Sequence, residues 1–142
     1  MKQLTKSKLG RFLSLLLVLA TVTGLLPFTA SAEDATVIDN VEITGVVIPI
    51  AGETPKYDCI IPEDCGYYVD GVYWENSSYQ RLDKDDTFVA GKSYTFTIVL
   101  FPEDGYTFKD RSELKATVNG DKASDIRVDF NAPESRIIEK KV

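Results

Sequence analysis

The chain has 142 residues, with 22 acidic against 16 basic side chains, two cysteines and no histidine. The missing imidazole excludes Ser-His-Asp and Cys-His nucleophilic sites and removes the commonest zinc ligand. The acidic balance repels nucleic-acid phosphates and anionic lipid headgroups, so neither nucleic acid nor membrane is expected as a partner of the mature chain.

Residues 1–32 read as an export signal. Lys2, Lys6, Lys8 and Arg11 form a positive n-region, residues 12–26 are almost wholly apolar, Pro27 breaks the run, and Ala30-Ser31-Ala32 supplies a small-residue cleavage site. The alternative is a membrane anchor, which needs roughly 20 apolar residues. This run is shorter and leads straight into the cleavage site, so cleavage after Ala32 is expected. What remains is 33–142, a single domain of 110 residues with 12 basic and 22 acidic side chains and a net charge of −10. That length sustains a core of its own. The signal offers no cysteine for lipid attachment, and residues 136–142 carry no LPxTG-like motif or apolar tail. The expected location is extracellular, by release or by non-covalent retention at the cell surface.

From residue 41 onward the dominant period is two, punctuated by Gly, Pro, Asn and Asp clusters, which predicts strands and turns. In 41–50 the apolar phase shifts at Gly45, from Val41 and Ile43 to Val46, Ile48 and Ile50, as a β-bulge requires. Short strands are expected at 57–61, 67–69 and 72–75, followed by a long polar loop over 76–86. The clearest strand is 93–101, with Tyr94, Phe96, Ile98 and Leu100 on one face and Thr95, Thr97 and Val99 on the other. A short strand follows at 106–108. Leu114, Ala116 and Val118 alternate up to Asn119-Gly120, the strongest short hairpin signal, and Ile126, Val128 and Phe130 alternate after it. Residues 136–141 are expected as a final edge strand guarded by its lysines. Seven to eight strands in 110 residues predict an all-β fold, an immunoglobulin-like β-sandwich.

Four runs in order, GYYVDGVYW at 66–74, FVAGKSYTF at 88–96, DGYTF at 104–108 and TVNG at 117–120, resemble the immunoglobulin-like modules of secreted and cell-surface proteins from clostridia and related Gram-positive bacteria. The shared pattern is V-x-W, F-x-A-G-K-x-Y, D-G-Y-x-F and V-N-G, and it spans most of 41–130. The resemblance implies a sandwich fold and an extracellular location. Such modules usually sit beside other domains, whereas no neighbour is visible in this chain.

Two cysteines in an exported chain predict a Cys59–Cys65 disulfide. It would staple the mouth of a hairpin turning at Pro62, and so short a loop contributes only about 2 kcal/mol. The single Trp74 is expected at the centre of the core with Tyr94, Phe96, Ile98 and Leu100. Tyr67, Tyr68, Tyr73 and Tyr79 are the candidate ligand-binding residues, a stacking platform if several face outward. The acidic loop at Asp83, Asp85 and Asp86 has carboxylates suited to calcium but lacks the glycine and distal glutamate of a calcium loop, so it reads as a solvated loop and no metal or cofactor is expected. No carboxylate pair is set in an apolar cleft as a glycosidase needs, and no enzyme is expected. Residues 62–67 also resemble the inserted loop, N-P-T-T-G-Y-x-W, of small secreted inhibitors of papain-like proteases, with one residue extra and Val69 where the Trp stands. The expected function is a non-catalytic binding or adhesion module for an extracellular protein or glycan. The alternatives are a secreted protease inhibitor using the Cys59–Cys65 loop, or a purely structural module.

Overall fold

Residues 94–102 are the spine of the molecule, with Tyr94, Phe96, Ile98 and Leu100 buried on one face and apolar side chains on both faces from Ile98 to Phe101. The computed structural model describes residues 34–142, so the export signal expected at 1–32 lies outside the described residues. Glu33–Val142 is one compact unit. Its nine strands are β1 (Thr36–Ile38), β2 (Asn40–Ile43), β3 (Tyr67–Asn76), β4 (Tyr94–Pro102), β5 (Tyr106–Phe108), β6 (Lys115–Val118), β7 (Asp121–Lys122), β8 (Asp125–Asp129) and β9 (Ala132–Lys141). No helix occurs among the described residues.

The strands form a four-stranded antiparallel sheet in the order β3-β4-β9-β8, a three-stranded sheet β2-β6-β7, and a two-stranded sheet β1-β5. β1 pairs parallel with β5 and β2 parallel with β6, so the start of the domain is held by strands far along the chain. One hydrophobic cluster draws on all three sheets. It includes Ile38 and Phe108 from the smallest, Val41, Ile43, Ala116 and Val118 from the second, and Trp74, Phe96, Ile98, Leu100 and Ile138 from the largest. The fold is therefore all-β, with sheets packed about a shared core as in a β-sandwich.

The residues expected at the centre are buried there. Trp74 is wholly inaccessible, as are Phe96, Ile98 and Leu100, and Tyr94 is nearly so. The Trp74 ring lies 4.8 Å from Phe96 and 5.3 Å from Phe88, the latter edge-on. Its indole N–H donates to the Lys56 carbonyl at 2.8 Å, so this buried donor is satisfied.

Several sequence expectations are corrected. The strand expected over 41–50 ends at Ile43. Gly45 does take a left-handed φ of 73°, but beyond it only Val46 is buried, while Ile48 and Ile50 are exposed. The Asn119 side chain replaces a strand partner there, accepting from Val46 N–H at 3.1 Å and donating to the Val46 carbonyl at 2.6 Å. Residues 57–61 form no strand, because only Ile60 pairs, and it pairs with Thr44. The hairpin that a disulfide was to staple is therefore absent. Cys59 and Cys65 are free thiols, and the Cys65 thiol donates instead to the Tyr67 carbonyl at 3.2 Å.

The two strands expected at 67–69 and 72–75 are one strand, β3, with a register shift between Val69 and Gly71. The last strand is not an edge. β9 lies between β4 and β8, and the edges of this sheet are β3 and β8. Lys140 of β9 is neutralised by Asp121 at 3.5 Å. Arg136 of β9, opposite Leu100 of β4, is buried and bonded through both terminal nitrogens, while its Nε–H has no partner among the described residues. Its guanidinium donates to the carbonyls of Pro133 (3.1 Å), Ser135 (2.7 Å), Phe108 (3.4 Å) and Lys109 (2.9 Å). Burial lowers its pKa, while Asp110 opposes that shift.

Candidate functional site

In a regular strand, residues 67 and 74 point to opposite faces. The extra residue Asp70, unpaired at the β3 bulge, shifts the phase so that Tyr67 and Trp74 both enter the core. Tyr68 and Tyr73 consequently share the outer face of the four-stranded sheet. The four candidate tyrosines thus separate by role.

Tyr67, 2% exposed, is removed from any ligand surface. Its hydroxyl accepts from Glu42 N–H at 3.0 Å and donates to the Glu42 carbonyl at 3.3 Å. Burial pushes this phenol up to about 12, against the opposing effect of the Glu42 N–H bond. Tyr68 is 46% exposed and stacks on Phe101 directly across the ladder, with centroids 6.1 Å apart and planes 20° apart. Tyr73 is half-buried, with the Arg81 guanidinium 3.7 Å from its ring centroid, a cation–π contact that fixes both side chains. The Arg81 backbone is bridged to Glu75, which holds the cation over the sheet edge. Tyr79, 83% exposed with a φ of 60°, rides on the turn after β3. That turn is closed by the Asn76 carboxamide oxygen, which accepts from Ser78 N–H (2.9 Å) and Gln80 N–H (3.1 Å).

The outer face therefore carries two aromatic stations, Tyr68 with Phe101 and Tyr73 with Arg81. Their partners on β4, Phe101 and Thr97, are four residues apart, about 13 Å along the strand. Between them Gly71 pairs with Val99 and Val99 with Ile137. A Cβ at Gly71 would meet no atom within 4 Å, so the space above this position is open between the stations. The rim is polar. Thr97 is buried with its hydroxyl 3.5 Å from a Glu75 carboxylate oxygen, and Glu139 on β9 pairs with Arg127 on β8. Flat rings over a small apolar floor with a few charged groups around it suit a ligand with both apolar and polar faces.

Phe101, Arg81, Val99 and Ile137 were not singled out from sequence. Phe101 and Arg81 earn their place only through cross-strand neighbours, and no local pattern announces those. The acidic turn at 83–86 closes on itself, with the Asp86 carboxylate accepting from Asp83 N–H at 2.7 Å. Among the described residues no three Cys, Asp or Glu side chains converge as metal ligands. Burial, helped by Asp58, raises the Cys59 pKa, which disfavours its thiolate and slows its reactions. Comparison with known protein families, characterised proteins and solved structures finds no match for this chain.

Proposed function

We propose that the chain is a secreted, non-catalytic immunoglobulin-like binding module that acts at or outside the cell surface. Its ligand contact is the outer face of the four-stranded sheet. The observation that carries this reading is the pair of outward aromatic stations, Tyr68 on Phe101 and Tyr73 under Arg81, on neighbouring strands with the open Gly71 position between them. Rings on strands lose little conformational freedom on binding, which is why tyrosine is favoured at contact surfaces. The motif resemblance supports the module type and its location, and the acidic balance favours a neutral or basic ligand over an anionic one. A glycan suits the ring-and-carboxylate composition best, and an extracellular protein is the other ligand class. The inhibitor reading is weaker, because Cys59 and Cys65 are free thiols where the loop between them needed a stiffening bridge.

The test is a glycan array probed with residues 33–142 and with three single variants. Binding to a defined sugar class should fall at least about tenfold in Tyr68→Ala and in Tyr73→Ala, and persist in Tyr79→Ala, which lies off the face. Binding that survives both of the first two substitutions would sink the assignment of this face. Silence across the array would eliminate the glycan and leave a protein ligand, to be tested with the same variants.

A further inference from the structure

Between β6 and β8, where the chain passes from the three-stranded sheet to the four-stranded one, the margin of the core is open. Sheets in a sandwich stand about 10 Å apart, and the inward residues here, Ala116 and Ala123, are too short to fill that gap. Ala123 N–H donates to the Ala116 carbonyl at 2.9 Å, which holds the two alanines side by side. The result is a cleft of about 740 Å³ floored by Leu114, Ala116, Ala123 and Ile126, within the roughly 300–1,000 Å³ of small-molecule sites. Leu114 and both alanines are buried, while Ile126 is only half-buried against the core.

The rim of this cleft reverses the sign of the molecule. Acidic side chains outnumber basic ones 22 to 12 over residues 33–142, yet along the cleft Arg111, Lys115 and Lys122 stand against only Glu113 and Asp125. Both carboxylates are already engaged, Glu113 with Lys109 at 3.7 Å and Asp125 with the Ile126 N–H at 2.9 Å. The three cations are exposed, and none has a carboxylate partner among the described residues. At physiological salt, charges more than about 8 Å away are largely screened. The rim, and not the net charge of the domain, therefore decides what settles in the cleft.

We propose that this cleft binds a small amphiphilic anion, an apolar body ending in one carboxylate. The body lies on the floor of Leu114, Ala116, Ala123 and Ile126, and the carboxylate meets the cations of the rim, whose long stems let their charges reach it from the edge. An inorganic anion has no body to bury on that floor, and a neutral hydrocarbon leaves the cations unused. The cleft is separate from the aromatic outer face. Ile126 pairs with Ile138, and Ile138 with Ile98, on the core side of the sheet, whereas Tyr68 and Tyr73 stand on the other side, so the two sites are tested independently.

Fluorescence titration of residues 33–142 with anilinonaphthalene sulfonate, an amphiphilic anion, tests this against N-phenylnaphthylamine, which has the same rings without the charge. The sulfonate should bind with a Kd below roughly 1 mM, be displaced by decanoate, and shift the backbone amide resonances of 111–126. The uncharged amine should bind at least about tenfold more weakly. Lys115→Glu and Lys122→Glu together should weaken the sulfonate at least about tenfold and leave the amine unchanged. Both side chains are exposed, so the fold should be retained. If that double variant unfolds, Arg111→Gln decides, with the sulfonate weakened about threefold and the amine unchanged. Tyr68→Ala should alter neither titration. Failure of the sulfonate or decanoate to bind overturns the proposal, as do equal affinities for the charged and uncharged probes. So does a sulfonate affinity indifferent to the rim substitutions, or an amide shift confined to residues outside the cleft.

Discussion

At Tyr67 a single phenol supplies two hydrogen bonds to a residue 25 positions away, joining β3 to the backbone of β2. Tyr67→Phe should cost about 1–2 kcal/mol at neutral pH, read as a shift in the denaturant midpoint, because both bonds to Glu42 go at once. The same phenol makes stability depend on alkali. Its folded pKa of about 12 lies above the ordinary 10, so the folded state holds the proton more tightly than the unfolded chain does. The contribution is complete below pH 10 and disappears as the pH climbs from 10 to 12. The midpoint should fall more steeply over that window in the wild type than in Tyr67→Phe. Some slope should remain in the variant, since burial raises the Tyr57 pKa in the same direction. That Tyr67 is core and Tyr68 surface was not legible in the sequence. Both sit in one aromatic run, and which one turns inward depends on which residue is extra at the bulge.

The bulge itself was hidden for a related reason. Val69-Asp70-Gly71 has the composition of a turn, so β3 read as two strands, although Tyr67 and Trp74 on one face require a single strand with one residue added. Deleting Asp70 restores regular alternation and forces either Tyr67 or Trp74 outward. The expected result is loss of the cooperative melt and a red shift of the lone tryptophan's emission, checked by fluorescence and circular dichroism. Other elements were plainer. β4 declares itself through four alternating apolar residues, and Asn119-Gly120 forms the two-residue turn with φ of 52° and 85° that its composition demands. β9 misled because Lys140 and Lys141 resemble the guards of an edge strand. One of them is bound to Asp121, and both stand at the end of a strand whose middle, Ile137 and Ile138, is interior.

For the whole molecule, the class was legible and the sheet order was not. Period-two alternation and frequent turn residues specify strands, but pairing between Thr36 and Tyr106, or between Asn40 and Lys115, leaves no local trace. Non-local pairing of this kind slows folding to the millisecond-to-second range. Refolding followed through Trp74 fluorescence should fall in that range. Val41→Ala in β2 should mainly speed unfolding and change the refolding rate less than about twofold, as for a contact made after the rate-limiting step. An equal slowing of refolding would place β2 docking earlier.

The parallel ladders also set a clock on the growing chain. β1 and β2 are synthesised first, yet their partners β5 and β6 follow about 70 residues later, several seconds at roughly 5–20 residues per second. During that interval Ile38, Val41 and Ile43 have no sheet to join. The first strands made are thus among the last to be placed, and the core stays open on that side until β6 has emerged.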